Sequence, residues 1–388
     1  MKKVTAATES QDEAYRKPPL EAILNTHDFE DVAANTISPK AWAFYSSAAT
    51  DLVSHRLNTE IYSRIMLRPR VLRPVQDVDC SSSILGISSS LPIFVAPAAM
   101  AGLAHPDGEL AIARGAKAEG LLQTISTNAS YPLNEIVGSV SSKESPHPWF
   151  LQLYVNRDRP KTEELLIHAV KLGVRAIFLT VDCPVAGKRE ADERLAHDTS
   201  LKAPISGGGS QSSFDAKGGG LARKMGLYID PNLQWTDIPW IAECLLRGQE
   251  LAGQVGKNRI PIVIKGIQTA ADTRRALDCL ESGVRGVFLS NHGGRSLDTS
   301  PPGILTLLEC WKVCPEVFGK LEIYVDGGIR RGTDVVKAVA LGAKAVGLGR
   351  PFLYSLSYGE EGVRRLVDSK SFVSVGLLRT NQRYSHSG

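Results

Sequence analysis

The stretch "ESGVRGVFLSNH", residues 281–292, reads as a helix end, a glycine stop, a basic residue and an apolar run that closes on Ser290, Asn291 and His292. A continuous apolar run of about six residues is what a parallel strand buried on both faces looks like. The glycine ahead of it is the usual left-handed end of the preceding helix. The pattern recurs in "KLGVRAIFLTVD", residues 171–182, and "ALGAKAVGLGRP", residues 340–351, with a weaker copy in "KAEGLLQTIS", residues 117–126. Self-similarity of this kind marks a repeated structural unit. The runs "LPIFVAPAAM", "PWFLQLYV", "IPIVIKGI" and "LEIYVDGG" end in the same manner and bring the expected strands to eight.

Amphipathic stretches such as "GELAIARGAKAEG", "TEELLIHAVKLG", "TAADTRRALDCLESG" and "GTDVVKAVALGA" lie between these runs. Eight successive βα units predict an α/β chain folded as a closed (β/α)8 TIM barrel, and a doubly wound open sheet is the competing arrangement. Residues 1–90 are expected as an N-terminal helical extension that caps the barrel, because "PKAWAFYSSAATDLVSHRLNTEIYSRI" has helical spacing. Residues 91–388 form the barrel, within a single domain overall. After the fourth strand, roughly residues 186–259, comes a long insertion. Its "SGGGSQSSFDAKGGG", residues 206–220, is too rich in Gly and Ser to pack a core and predicts a mobile loop over the catalytic face.

The composition narrows the class of partner. Across 388 residues the net charge is +4 and the charged residues are scattered, so no basic stripe for nucleic acid or an acidic membrane stands out. A small molecule is the expected partner. The six cysteines, Cys80, Cys183, Cys244, Cys279, Cys310 and Cys314, show no CxxC and no ligand-like pairing with histidine. No metal centre is expected, and the thiols suit a reducing compartment. No signal-peptide core, no run of 18 apolar residues and no peroxisomal tripeptide in "YSHSG" is found, so the expected location is cytoplasmic.

In a barrel of this kind the chemistry lies at the C-terminal strand ends. Those ends carry Ala98 and Ala99, Ser126 and Asn128, Gln152 and Tyr154, Thr180 and Asp182, Lys265, Ser290 to Arg295, Asp326 to Arg330, and Gly349 with Arg350. The last two stretches, "DGGIRRGTD" and "GLGRPF", offer glycine amides, a helix start and arginines, the usual phosphate seat of such barrels.

"SNHGGR", "DGGIRRGTD", "GLGRP", "FLQLYV", "LTVDCPVAGKREAD" and "IVIKGI" together resemble the FMN-dependent L-2-hydroxy acid oxidases and dehydrogenases, the group of glycolate oxidase, lactate oxidase and the flavin domain of flavocytochrome b2. The likeness runs in unbroken order from about residue 20 to about residue 366. It implies non-covalently bound FMN, with the phosphate on Gly349, Arg350 and Arg330 and the ring flanked by Ala99, Ser126, Gln152, Thr180 and Lys265. Ala98, Ser290, Asp326 and Gly328 complete the implied cofactor set. It further implies His292 as the base that takes a substrate proton, Asp182 as its partner, and Lys265 as positive charge beside the flavin. Arg295 would grip the substrate carboxylate with help from Arg189, and Tyr154 would hold the hydroxyl. Oxygen and another carrier both fit as electron acceptor, and tetramers are common in the family.

Three positions depart from the family pattern. Phe44 stands where a tyrosine usually helps bind the carboxylate. Asn128 stands where Trp or Leu is familiar, which makes the space beside the substrate side chain more polar and points away from glycolate and lactate. Residues 369–388 lack the acidic pattern of the family's closing helix. Two other readings therefore stay open: a barrel that binds FMN or a phosphorylated ligand without turning over hydroxy acids, and a flavin enzyme acting on a larger modified substrate or isomerising one.

Overall fold

Eight parallel strands pair in sequence order and close on themselves in the computed structural model of the chain. It describes residues 15–72, 76, 78–140, 147–196, 202–209, 220–254 and 256–368. The strands are β1 (Ile93–Val95), β2 (Leu122–Ile125), β3 (Trp149–Leu153), β4 (Val174–Thr180), β5 (Ile262–Ile267), β6 (Val284–Leu289), β7 (Glu322–Val325) and β8 (Ala345–Leu348). β8 pairs with β1, matching Val346 to Ile93 and Leu348 to Val95, and this closure excludes the open sheet.

Alternate residues of each strand face the barrel axis. There Phe94, Phe150, Phe178, Phe288 and Tyr324 form an apolar plug, with the Phe94 ring 5.8 Å from Phe178, 5.4 Å from Phe288 and 5.6 Å from Tyr324. The plug leaves the barrel floor filled rather than hollow. A hairpin of Ser82–Ile84 and Ile87–Ser89 covers the N-terminal end and inserts buried Ile84 into the plug. This hairpin lies in the stretch read from sequence as helical; its strands are three residues each, too short for a period to show.

Helices Thr26–Thr36, Pro39–Ser46 and Val53–Ser63 precede the barrel. The first is capped by Asn25 in a reciprocal capping box with Asp28, and the second starts on Ser38 with Pro39 behind it. The third begins at Leu52, which offers no cap. Its N-terminal amides are served instead by Asp298 from the loop after β6, which accepts from Asp51 N at 3.0 Å and Ser54 N at 2.9 Å.

After β4 the chain forms a short helix at Glu190–Glu193, a two-stranded hairpin pairing Lys202–Ala203 with Gly208–Gly209, and a helix at Leu221–Met225. The helix Ile238–Leu251, inside the stretch read from sequence as part of the insertion, packs on the helix Arg159–Lys171 as an ordinary barrel helix. Residues 210–219 of the Gly- and Ser-rich segment and residues 369–388 lie outside the described residues. Among the described residues, no helix is long and apolar enough to cross a membrane.

Candidate active site

A cleft at the C-terminal mouth of the barrel gathers residues from all eight strand ends, from the helix Pro39–Ser46 and from the segment around Met225 to Ile229. Its walls include His292, Tyr154, Arg189, Arg295, Lys265, Phe44 and Asn128, together with Ala98, Ala99, Ser126, Gln152, Thr180, Asp326, Gly328, Arg330, Gly349 and Arg350. Asp182 and Ser290 stand directly behind that wall, each in contact with His292.

His292 owes its place to the backbone of "SNHGG". Its own φ is +59°, a left-handed conformation uncommon outside glycine, and the Ser290 hydroxyl accepts its N–H at 3.0 Å. Asn291 accepts from Gly294 N at 3.1 Å and exchanges two 2.9 Å amide bonds with Asn58. Gly294 has φ +76°, and a Cβ there would stand 2.7 Å from the backbone nitrogen of His55. The glycine thus lets the helix Val53–Ser63 seat directly on the loop.

The imidazole is held from one side. His292 Nδ1 lies 2.9 Å from Asp182 Oδ1, while Nε2 faces the Tyr154 hydroxyl at 3.4 Å. Burial, with the charges of Lys265 and Arg189, holds His292 below its usual value although Asp182 pulls the other way. Burial alone would raise Asp182, yet His292 and Lys265 draw it down to about 2. At neutral pH this leaves a carboxylate behind a neutral imidazole, the state of a base ready to take a proton. Burial pushes the Tyr154 phenol well up, so it remains a donor.

Positive charge dominates the rest of the cleft. Burial, then Arg189 and Arg350 nearby, depress Arg295; burial likewise depresses Arg189 and Arg350. Arg295 donates from Nη1 to the carbonyls of Tyr45 at 2.7 Å and Ser47 at 3.1 Å, and from Nη2 to that of Phe44 at 2.8 Å. Arg350 reaches two of the same carbonyls, Tyr45 at 2.9 Å and Ser47 at 3.1 Å, and Gly293 O at 3.0 Å. Both arginines therefore tie the turn after the helix Pro39–Ser46 to the barrel mouth. Sequence reading misses this, because backbone carbonyls carry no residue signature.

Several features fit a flavin nucleotide. Lys265, 3% exposed, reaches Ser290 Oγ at 3.4 Å. Asp326 Oδ1 is buried with no hydrogen-bond partner among the described residues, and burial raises its carboxyl. Gln152 is fixed by Thr180 at 3.0 Å and by Thr127 N at 3.1 Å, so its amide has one orientation. The space above Gly349 is open to at least 4 Å. Buried cations, an orphan acceptor and a glycine-floored opening at β8 form a cradle for a polar, phosphorylated ring system.

Two neighbours of the site carry no signal in the sequence. Tyr228 donates to Asn128 Oδ1 at 3.2 Å, orienting that amide. Cys183 Sγ lies 3.4 Å from His292 Nδ1 and 2.9 Å from Ser296 Oγ. Burial pushes its thiol up to about 12, so it is no nucleophile.

The family profile described as FMN-dependent dehydrogenase matches residues 33–370. The L-lactate dehydrogenase (cytochrome) of Wickerhamomyces anomalus is 42% identical over 373 residues, which is 95% of this chain and 61% of that protein. The Saccharomyces cerevisiae L-lactate dehydrogenase (cytochrome) is 42% identical over 90% of this chain and 57% of its own length. The chain thus spans about three fifths of the length of these two relatives. Glycolate oxidase 3 of Oryza sativa subsp. indica is 38% identical over 90% of this chain and 89% of that protein. Among solved structures, the recombinant flavin-binding domain of baker's yeast flavocytochrome b2 matches with a TM-score of 0.78 and 39% identity, covering 94% of this chain and 85% of that one. Mandelate oxidase with (S)-4-hydroxymandelic acid matches with a TM-score of 0.78 and 31% identity, covering 92% and 95%. A profile match over most of the chain, joined to a barrel mouth that fits the cofactor, leads to one assignment: the chain belongs to the FMN-dependent dehydrogenase family, and its cofactor is FMN.

Proposed function

We propose that the chain oxidises an L-2-hydroxy acid to the 2-keto acid, with His292 as base. The observation that carries this reading is the orientation of one side chain. Asp182 fixes His292 through Nδ1, which leaves Nε2 turned to the cleft beside Tyr154. A proton taken from the substrate onto Nε2 makes an imidazolium, and the buried Asp182 carboxylate stabilises it. Tyr154, kept protonated, donates to the substrate oxygen.

Arg295 has five N–H groups, and three serve backbone carbonyls. Among the described residues the other two, on Nε and Nη2, are left to offer a carboxylate a side-on pair. Arg189, whose Nε points to Arg295 O at 3.5 Å, adds a second charge. When bound, FMN supplies the acceptor for the two electrons that leave the substrate carbon. Gly349, Arg350 and Arg330 are the proposed phosphate seat. Ala98, Ala99, Ser126, Gln152, Thr180, Ser290, Asp326 and Gly328 line the proposed ring and side-chain site, with Lys265 at the pole that gains negative charge.

Phe44 is 3% exposed, its ring 5.4 Å from the Arg295 guanidinium, and it brings no hydroxyl to the carboxylate. Asn128 adds an oriented amide at the side-chain end. A larger 2-hydroxy acid suits this pair better than glycolate or lactate. Residues 1–90 as a cap, residues 91–388 as the barrel unit, a homotetramer, a cytoplasmic location and oxygen or another carrier as acceptor belong to the same reading. The cysteines form no disulfide among the described residues and five of them are buried, which supports the reducing compartment.

The test is anaerobic addition of a panel of L- and D-2-hydroxy acids to the purified yellow protein. Loss of the visible flavin bands with an L-acid and not its D-form is expected. A spectrum unchanged across the panel overturns turnover and leaves a barrel that only binds its cofactor.

A further inference from the structure

Cys183, Asp182 and His292 each turn one donor atom into the same small space, and the three atoms lie within 4.8 Å of one another. We infer that this trio is an inhibitory site for a thiophilic divalent cation, Zn2+ or Cd2+, that shuts off the base from behind. The inference rests on the proposed role of His292 only for the loss of turnover; the binding stands on the geometry alone.

The distances suit the ion. A tetrahedral zinc with nitrogen and oxygen ligands at about 2.0–2.2 Å and sulfur at about 2.3 Å sets those donors roughly 3.4–3.6 Å apart. Here Nδ1 to Oδ1 is 2.9 Å and Nδ1 to Sγ is 3.4 Å, so the trio opens by a few tenths of an ångström to take the ion. Asp182 brings a spare acceptor to that adjustment. Its side chain is fully buried, and Oδ2 has no hydrogen-bond partner among the described residues. The thiol is reached from the cleft, whose wall includes both Cys183 and His292. The Ser296 hydroxyl, 2.9 Å from Sγ, remains to hydrogen-bond the thiolate, and a water completes the shell.

Binding changes the imidazole, not only its neighbours. The cation takes a lone pair on Nδ1, so the single proton of the neutral ring must sit on Nε2. Nε2 is the atom that faces Tyr154 and the cleft. With Nε2 already protonated, no lone pair is left to accept the substrate proton. Coordination also deprotonates Cys183, whose proton leaves to solvent, and replaces the His292 to Asp182 hydrogen bond with two metal bonds. No electrons move, and a chelator reverses each step.

The experiment uses the FMN-loaded enzyme and its Cys183→Ser and Cys183→Ala variants, titrated with Zn2+ and separately with Cd2+. The parent is expected to lose turnover reversibly by EDTA and to show an ultraviolet sulfur-to-cadmium band that saturates at one ion per chain. Both variants should lack the band and need about 100-fold more Zn2+ for the same inhibition, each measured against its own metal-free rate, since even outer-shell partners matter about 10- to 100-fold. Equal zinc sensitivity in parent and variants, or a cadmium band that persists in the variants, overturns the site. Should the variants fail to fold, X-ray absorption at the zinc edge of the parent decides: one sulfur in the first shell is required, and an all-nitrogen-and-oxygen shell overturns it. If no hydroxy acid is oxidised, the cadmium band and the zinc edge still test the site, so the two readings fail separately.

Discussion

Five of the eight barrel strands carry two kinds of residue, two positions apart, on the same inward face. Phe150 is followed by Gln152, Phe178 by Thr180, Val263 by Lys265, Phe288 by Ser290 and Tyr324 by Asp326. The lower member belongs to the apolar plug; the upper member lines the cleft or, for Ser290, stands directly behind its wall. On these strands one pleat, under about 7 Å, separates a packed aromatic or aliphatic residue from one that brings a polar group to the site. The difference shows how the fold divides its tasks. Dispersion and burial below hold the strand ends at fixed spacing, and the fixed ends keep Lys265 and Asp182 in place where a softer frame would relax around them.

The comparison is sharpest where changes in one layer leave the other intact. The largest effect is expected from His292→Gln, which should keep FMN and the melting temperature of the parent yet slow flavin reduction by about 10²- to 10⁴-fold, the usual worth of a positioned base. Stopped-flow reduction with an L-2-hydroxy acid measures it. A rate within a few-fold of the parent means that the upper layer takes the proton elsewhere.

Phe178→Ala strikes the lower layer, where the ring is fully buried between Phe94 and Phe150 at centroid distances of 5.8 Å and 5.4 Å. The cavity should cost about 3–5 kcal/mol in denaturant unfolding, while the flavin of the remaining folded protein is still reduced. Loss of reduction without loss of stability would dissolve the division between the layers.

Phe44→Tyr probes the rim above both. A hydroxyl restored beside Arg295 gives a charge-assisted bond of about 1.5–3 kcal/mol, so the Michaelis constant for lactate or glycolate should fall by about 10- to 150-fold. An aromatic 2-hydroxy acid should respond little or be bound less well. Equal responses place Phe44 away from the substrate.

The smallest effect is expected at Asp298, which caps the third N-terminal helix from the catalytic loop. Asp298→Ala should lower stability by about 1 kcal/mol near neutral pH. Burial works against its ionisation, yet the amide of Ser54 and the hydroxyl of Thr50 among others hold its pKa at about 2, below the ordinary 3.8. A carboxyl lowered by folding stabilises above its unfolded pKa and loses that contribution as pH falls through its folded one. The gap between parent and variant should therefore be constant from about pH 5 upward and narrow as pH falls from about 4 toward 2. A gap that widens on acidification gives the stabilisation another source.

Much of this is legible in the sequence. The repeat "LGVRAIFL", "SGVRGVFL" and "LGAKAVGL" identified buried parallel strands, because only a strand covered on both faces tolerates an unbroken apolar run. Most of the expected site residues followed from the rule that chemistry sits at strand ends, Phe44 and Arg189 from the family resemblance, and they lie in or directly behind the wall of one cleft. The floor hairpin at residues 82–89 was not legible, since its strands are three residues long. Nor was the barrel helix Ile238–Leu251, hidden behind a long insertion whose Gly- and Ser-rich core drew the reading.

By itself the sequence determined the barrel, the order of its strands and the residue types offered at its mouth, because those depend on local period and on neighbours in the chain. Beyond the His292 and Asp182 pair that the family resemblance implied, the tertiary structure decided which donors meet. Cys183 follows Asp182 directly, but His292 joins them from 110 positions away, across the gap between β4 and β6. The carbonyls of Phe44, Tyr45 and Ser47 that fix Arg295 and Arg350 come from about 250 and 300 residues earlier. Contacts between distant segments follow from how strands close and helices seat, and that closure is a property of the whole packed chain rather than of any window along it.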